Sequence, residues 1–137
     1  LASGGGLLAA VGIAVSLAVR PVDSFPPAGA ASALRPAAGV AATASVRLSA
    51  RPWGTQVDLA ASRLPVLPAG SYYEVWLVRA DGTRLAAGTF RPTAPDGRAR
   101  VRLAAALPLA AIVRIGVTRE GAGGTTDVLA GAPSART

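Results

Sequence analysis

The sequence predicts an all-β fold: an antiparallel β-sandwich of about seven short strands, preceded by one transmembrane helix and a Pro/Ala-rich linker. Three observations predict it. From Val40 onward, apolar and polar residues alternate with a period of two in several short runs, the signature of half-buried strands. Turn-forming pairs such as Asp81-Gly82 and Asp96-Gly97 separate those runs. Ahead of them stands an uncharged apolar run, followed by a segment broken repeatedly by proline.

The uncharged run covers residues 1–19 and stops at Arg20-Pro21. At 1.5 Å per residue a helix of that length spans roughly 28 Å, close to the hydrocarbon thickness of a bilayer. Its glycines suit close helix contact in a membrane. A signal-peptide core is the second reading of the same run. With no initiator Met and no basic segment before it, the chain reads as the continuation of a longer polypeptide. Residues 20–39 contain Pro21, Pro26, Pro27 and Pro36 among Ala, Gly and Ser, which predicts a semi-extended linker.

The sandwich is expected over residues 40–131, with a disordered tail over 132–137. Ala42, Ala44, Val46 and Leu48 alternate with polar partners and predict the first strand; Thr55, Val57 and Leu59 predict the second. Tyr72 to Arg79 is aromatic and β-branched on both faces, as a central strand should be. Thr83 to Phe90 returns after the Asp81-Gly82 turn. Ala99, Val101 and Leu103 mark one strand face, Val113, Ile115 and Val117 another, and Thr125 to Ala130 the last strand. Gly121 to Gly124 reads as a loose turn, and Ala104 to Ala111 as a loop or a short helical turn. Trp76 and Phe90 are expected in the core, because an alanine-rich domain needs its few large side chains inside.

Composition narrows function by exclusion. The chain contains no Cys, His, Met or Lys, so all 14 basic residues are Arg. Ser-His-Asp, Cys-His and Ser-Lys catalysis are therefore unavailable within it, as are thiolate or imidazole metal sites. The aspartates at 81 and 96 are accounted for by their turns, and the remaining carboxylates have no ligand spacing. No catalytic residue, cofactor or metal is expected, and the chain reads as a non-enzyme. The net charge of +7 raises anionic partners, yet the arginines are scattered without aromatic platforms between them, which argues against nucleic acid. Arg98, Arg100 and Arg102 share a strand face, and Trp53 stands beside Gly54. These four are the candidate exposed contacts, with edge protection as the alternative use of the arginines.

One series of motifs resembles a known family. Tyr73-Glu74-Val75-Trp76-Leu77-Val78, Asp81-Gly82, Ala87-Gly88-Thr89-Phe90 and Asp96-Gly97 follow one another in the order found in the C-terminal extracytoplasmic domain of anti-sigma-K factors. Val117-Thr118-Arg119-Glu120 and Val128-Leu129-Ala130-Gly131 resemble its closing pattern, although Gly121 stands where the family has proline. Tyr73, Trp76, Gly82, Gly88, Phe90 and Gly97 carry the motif. The resemblance implies a single-pass protein of the cell membrane with this domain outside the cytoplasm. It implies an alternative sigma factor as partner, held by a cytoplasmic domain that these residues do not include. It also implies release through an envelope protease, with the linker as the first site of cleavage and the sandwich as an anchoring or sensing domain. The rival reading is an exported cell-envelope binding module unrelated to transcription.

Overall fold

The computed structural model describes residues 31–133. Eight strands follow one another: β1 (Ala31–Pro36), β2 (Thr43–Arg51), β3 (Gly54–Ser62), β4 (Tyr72–Val78), β5 (Arg84–Phe90), β6 (Ala99–Ala105), β7 (Arg114–Gly121) and β8 (Gly124–Gly131). A single 3₁₀ turn, Leu109–Ala111, precedes β7. It starts directly after Pro108, and the Ala111 N–H returns to the Pro108 carbonyl at 3.0 Å.

All strand pairs are antiparallel, in the order β5-β4-β7-β8-β1-β2-β3-β6. The sheet curls until its edges meet, with Gly88 of β5 against the Leu103 side chain of β6. Among the described residues no strand ladder joins β5 to β6. The result is a nearly closed, barrel-like sheet with two halves, β2-β3-β6 and β5-β4-β7-β8.

β1 belongs to both halves. Ala31 to Leu34 pair with β2, whereas Arg35 and Pro36 pair with β8. Ser32 and Leu34 point inward and are buried. Pro36 has no N–H to give and sits at the strand's last position, where that loss is tolerated. The next N–H, from Ala37, bonds the Val128 carbonyl at 2.8 Å. This strand corrects the expected linker, whose last part is folded into the sheet, and it brings the strands to eight rather than about seven. A sheet-switching strand also explains why the fold is barrel-like rather than a sandwich of two separate sheets. The expected membrane helix over 1–19 and the linker residues 20–30 lie outside the described residues, as do residues 134–137 of the expected tail. No helix among the described residues is long and apolar enough to cross a membrane.

The core follows from strand alternation. Val46, Leu48, Val57 and Leu59 from one half meet Tyr73, Val75, Leu77, Ile115 and Val117 from the other. Each such aliphatic side chain removed from water contributes about 1.5–3 kcal/mol. Two connections cross between the halves and plug the ends. The β3–β4 connection buries Leu64 and Leu67, and the β6–β7 connection buries Leu107 and Ile112. Tyr73 spans both problems at once. Its ring lies 5.6 Å from that of Phe90, and its hydroxyl donates to the Pro65 carbonyl in the crossing segment. Burial raises the Tyr73 phenol above its ordinary pKa, opposed by the Arg119 charge.

The turns behave as their chemistry requires. Asp81 accepts from the Thr83 N–H at 2.9 Å and hydroxyl at 2.6 Å, and those hydrogen bonds hold its carboxyl below the usual range. Gly97 has φ +78, and a β-carbon there would fall 2.4 Å from the Leu64 nitrogen. Only glycine fits, because the Gly97 carbonyl must accept from the Leu64 N–H. Residues 121–124 form a tight two-residue hairpin rather than a loose turn, with Gly121 paired to Gly124.

Candidate binding faces

Strand alternation places one set of side chains on the barrel exterior, and cross-strand register groups them into rows. On the β2-β3-β6 half, one row reads Arg47, Asp58, Arg102. Asp58 is fully buried beneath its neighbours. The Arg102 Nε–H donates to one Asp58 oxygen at 2.6 Å, and the Gln56 amide donates to the other at 2.9 Å. Arg51 in turn donates to Gln56 at 3.1 Å. Four side chains thus close a polar network that supplies the hydrogen bonds a buried carboxylate needs.

The structure places the expected contact residues separately. Trp53 sits at the tip of the β2–β3 hairpin and is 51% exposed. Arg98 lies just before β6 and pairs with Asp96 of its own turn at 2.8 Å, both largely in solvent. Arg100 is exposed on β6. Arg102 is committed to Asp58. β6 ends the strand order, so charge on it also discourages pairing with a foreign strand. Of the motif residues, Tyr73 and Phe90 are in the core, Gly82 and Gly97 in turns, and Gly88 at the β5–β6 seam.

Trp76 departs from expectation. Tyr73, Val75 and Leu77 take the inward phase of β4, which sends Trp76 outward and leaves it half-buried. Its indole N–H donates to the Thr118 hydroxyl at 2.9 Å, and Thr118 donates to Glu120 at 2.7 Å. Thr125 donates to the other Glu120 oxygen at 2.6 Å. These hydroxyls, Thr125 first and Thr118 second, hold the Glu120 carboxyl below its ordinary pKa. The Arg84 guanidinium lies 4.7 Å from the Trp76 ring centre, a cation–π contact. Trp76 is therefore pinned on the exterior by one hydrogen bond and one stacked cation.

Beside it the exterior of the β5-β4-β7-β8 half is concave. One row reads Ala86, Trp76, Gly116, Ala130, Arg35, and the adjacent row Arg84, Val78, Arg114. Gly116 and Ala130 are small, so a groove of about 880 Å³ opens above them. Arg35, Arg84 and Arg114 border it, and Asp127 stands near the end by Thr118. All three arginines are exposed, and among the described residues none is in an ion pair. The sequence reading missed this groove. Arg114 and Gly116 do share the outward phase of β7, but their meeting with Arg35 and Arg84 depends on a register spread over five strands.

No group of three or more acidic side chains gathers into a metal site among the described residues. What the exterior offers is binding chemistry: hydrogen-bond donors, cations and one fixed aromatic ring. A family model described as "Anti-sigma-K factor rskA, C-terminal" matches residues 5–135. No curated protein and no solved structure matches the chain.

Proposed function

The chain belongs to the anti-sigma-K factor C-terminal domain family, and from that premise we propose that it is the extracytoplasmic anchoring and sensing part of a membrane-bound regulator of an alternative sigma factor. The family match over residues 5–135 is the observation that carries this reading. The sigma factor is held by a separate cytoplasmic domain, and residues 1–19 cross the membrane between the two.

Release of the sigma factor proceeds through cleavage by an envelope protease. We place the first cut N-terminal to Ala31. β1 is hydrogen-bonded to β2 along its first residues and to β8 along its last, and a paired strand does not fit a protease cleft until it is pulled from its sheet. The barrel thereby limits the cleavable stretch to residues 20–30. The sequence lacks the His, Cys and Lys of the usual nucleophile–base pairs, which favours a domain that acts by binding and by its connection to the anchor.

The test uses the natural polypeptide that carries this chain, with an epitope tag after Thr137. External protease applied to intact cells lacking an outer barrier is expected to remove the tag; protection of the tag would overturn the extracytoplasmic placement. In the same cells, deletion of residues 20–30 is expected to abolish induced release of sigma-dependent transcription. Normal release from that variant would overturn the cleavage assignment while leaving the membrane placement standing.

A further inference from the structure

We propose that the groove over Gly116 and Ala130 binds a soluble, linear, phosphate-bearing polymer. This goes beyond the regulatory reading and does not depend on it.

Charge is the first argument. Arg35, Arg84 and Arg114 approach the groove from three sides, on β1, β5 and β7. They contrast with Arg98 and Arg102, which already hold carboxylates. Arg84 and Arg114 flank Val78 in one row, two strand spacings or about 10 Å apart at the backbone. Their long stems let both forks reach an anion lying between them. A guanidinium fork matches phosphate oxygens in pairs, and a phosphodiester chain presents one charge per unit to successive forks. Among the described residues that line the groove the one acid, Asp127, stands at the opposite end beside Thr118, while Glu120, outside the lining, is bonded by Thr118 and feels the Arg84 charge.

Shape chooses the kind of polyanion. The floor strands β7 and β8 are paired on both flanks, so they have no free backbone edge for an added peptide strand. Recognition here comes from side chains, which favours a ligand whose charge lies along its own backbone. A bilayer surface is flat and meets protruding residues first. The anion site here is recessed over a glycine and suits a thin chain. Trp76, opposite Gly116 on the next strand, bonds the Thr118 hydroxyl and stacks with Arg84, so these two lining residues are held in place before ligand arrives.

Gly116 makes the proposal testable apart from net charge. Its backbone lies in the ordinary strand region, and a β-carbon there would meet only the Leu129 carbonyl oxygen at 3.8 Å. Gly116→Val therefore fills the floor at a strand position that accepts valine. The experiment measures binding of a short linear polyphosphate to the full chain in a neutral detergent by titration calorimetry. Arg35→Ala with Arg114→Ala, and separately Gly116→Val, are each expected to weaken binding at least about tenfold. Arg98→Ala with Arg100→Ala removes the same charge elsewhere and is expected to stay within about twofold. Far-UV circular dichroism and a cooperative thermal transition matching the parent chain verify that each variant is folded. Three results would overturn the proposal: no binding by the parent chain, an equal loss from the Arg98 and Arg100 pair, or equal binding of polyglutamate. A fourth is phosphatidylglycerol vesicles binding the Gly116→Val variant and the parent alike while polyphosphate binds neither, which would assign the arginines to a membrane surface.

Discussion

The two outer faces of the barrel use arginine in opposite ways. On the β2-β3-β6 half, arginine is structural: Arg102 and Arg51 close a network around the buried Asp58. On the β5-β4-β7-β8 half, Arg35 and Arg114 border an open groove without ion pairs among the described residues. The same side chain is a stabilising part where a carboxylate lies across the ladder and a candidate contact where an uncharged residue, Ala130 or Val78, does. What decides the role is the cross-strand partner: Asp58 opposite Arg102 in one case, Ala130 opposite Arg35 in the other.

That difference is measurable as stability. Arg102→Ala leaves the Asp58 carboxylate buried with one charge partner fewer, and is expected to cost about 2–3 kcal/mol in denaturant unfolding. The value sits at the low end for such losses because Arg102 itself is 38% exposed. A variant as stable as the parent would show that the network is ornamental. Next in size is Thr118→Val, which removes the hydroxyl linking Trp76 to Glu120. About 1 kcal/mol, or roughly 4–8 °C in melting temperature, is expected for this loss. Emission from Trp76, isolated by Trp53→Phe, should change with it.

The Glu120 tether adds a pH dependence. Its carboxyl titrates below its ordinary value because Thr125 and Thr118 bond the charged form. Its contribution is therefore complete above the ordinary glutamate range and is lost as the pH falls through the lowered folded value. Trp76 emission in the Trp53→Phe background should hold steady through the ordinary range and change below it, and Glu120→Gln should remove that transition. A transition that survives in Glu120→Gln would assign it to another carboxylate. The smallest stability effect is expected for Arg114→Ala, within about 0.5 kcal/mol. A loss comparable with that of Arg102→Ala would erase the distinction between the two faces.

Most strands could be read from the sequence because burial on one face imposes a period of two. Ile115 and Val117 announced β7, although Val113 of the same expected face lies just before the strand and is exposed, and Asp81-Gly82 announced the turn ahead of β5. β1 could not be read that way. Ala-Ser-Ala-Leu-Arg-Pro presents one large apolar residue, and the strand exists because β2 and β8 offer it partners far along the chain. Trp76 was misplaced for a related reason. Tyr72, Trp76 and Val78 give the outer phase of β4 an apolar look, and only Glu74 in that phase marks it as the outer face; the Tyr73 hydroxyl reaching Pro65 fixes the opposite phase inside. The groove needed register as well as phase, since Arg35 and Gly116 are joined only through Ala130.

β1 also has a mechanical meaning. It is the first described strand from the N-terminal side, and it alone is shared by the two halves. Tension on the chain before Ala31 therefore acts directly on the hinge of the barrel. A pull along the strand loads the β2 ladder in shear, so that its hydrogen bonds share the force instead of opening one after another. Extraction of Ser32 and Leu34 would uncover core from both halves together, which couples the hold on the tether to the integrity of the whole domain.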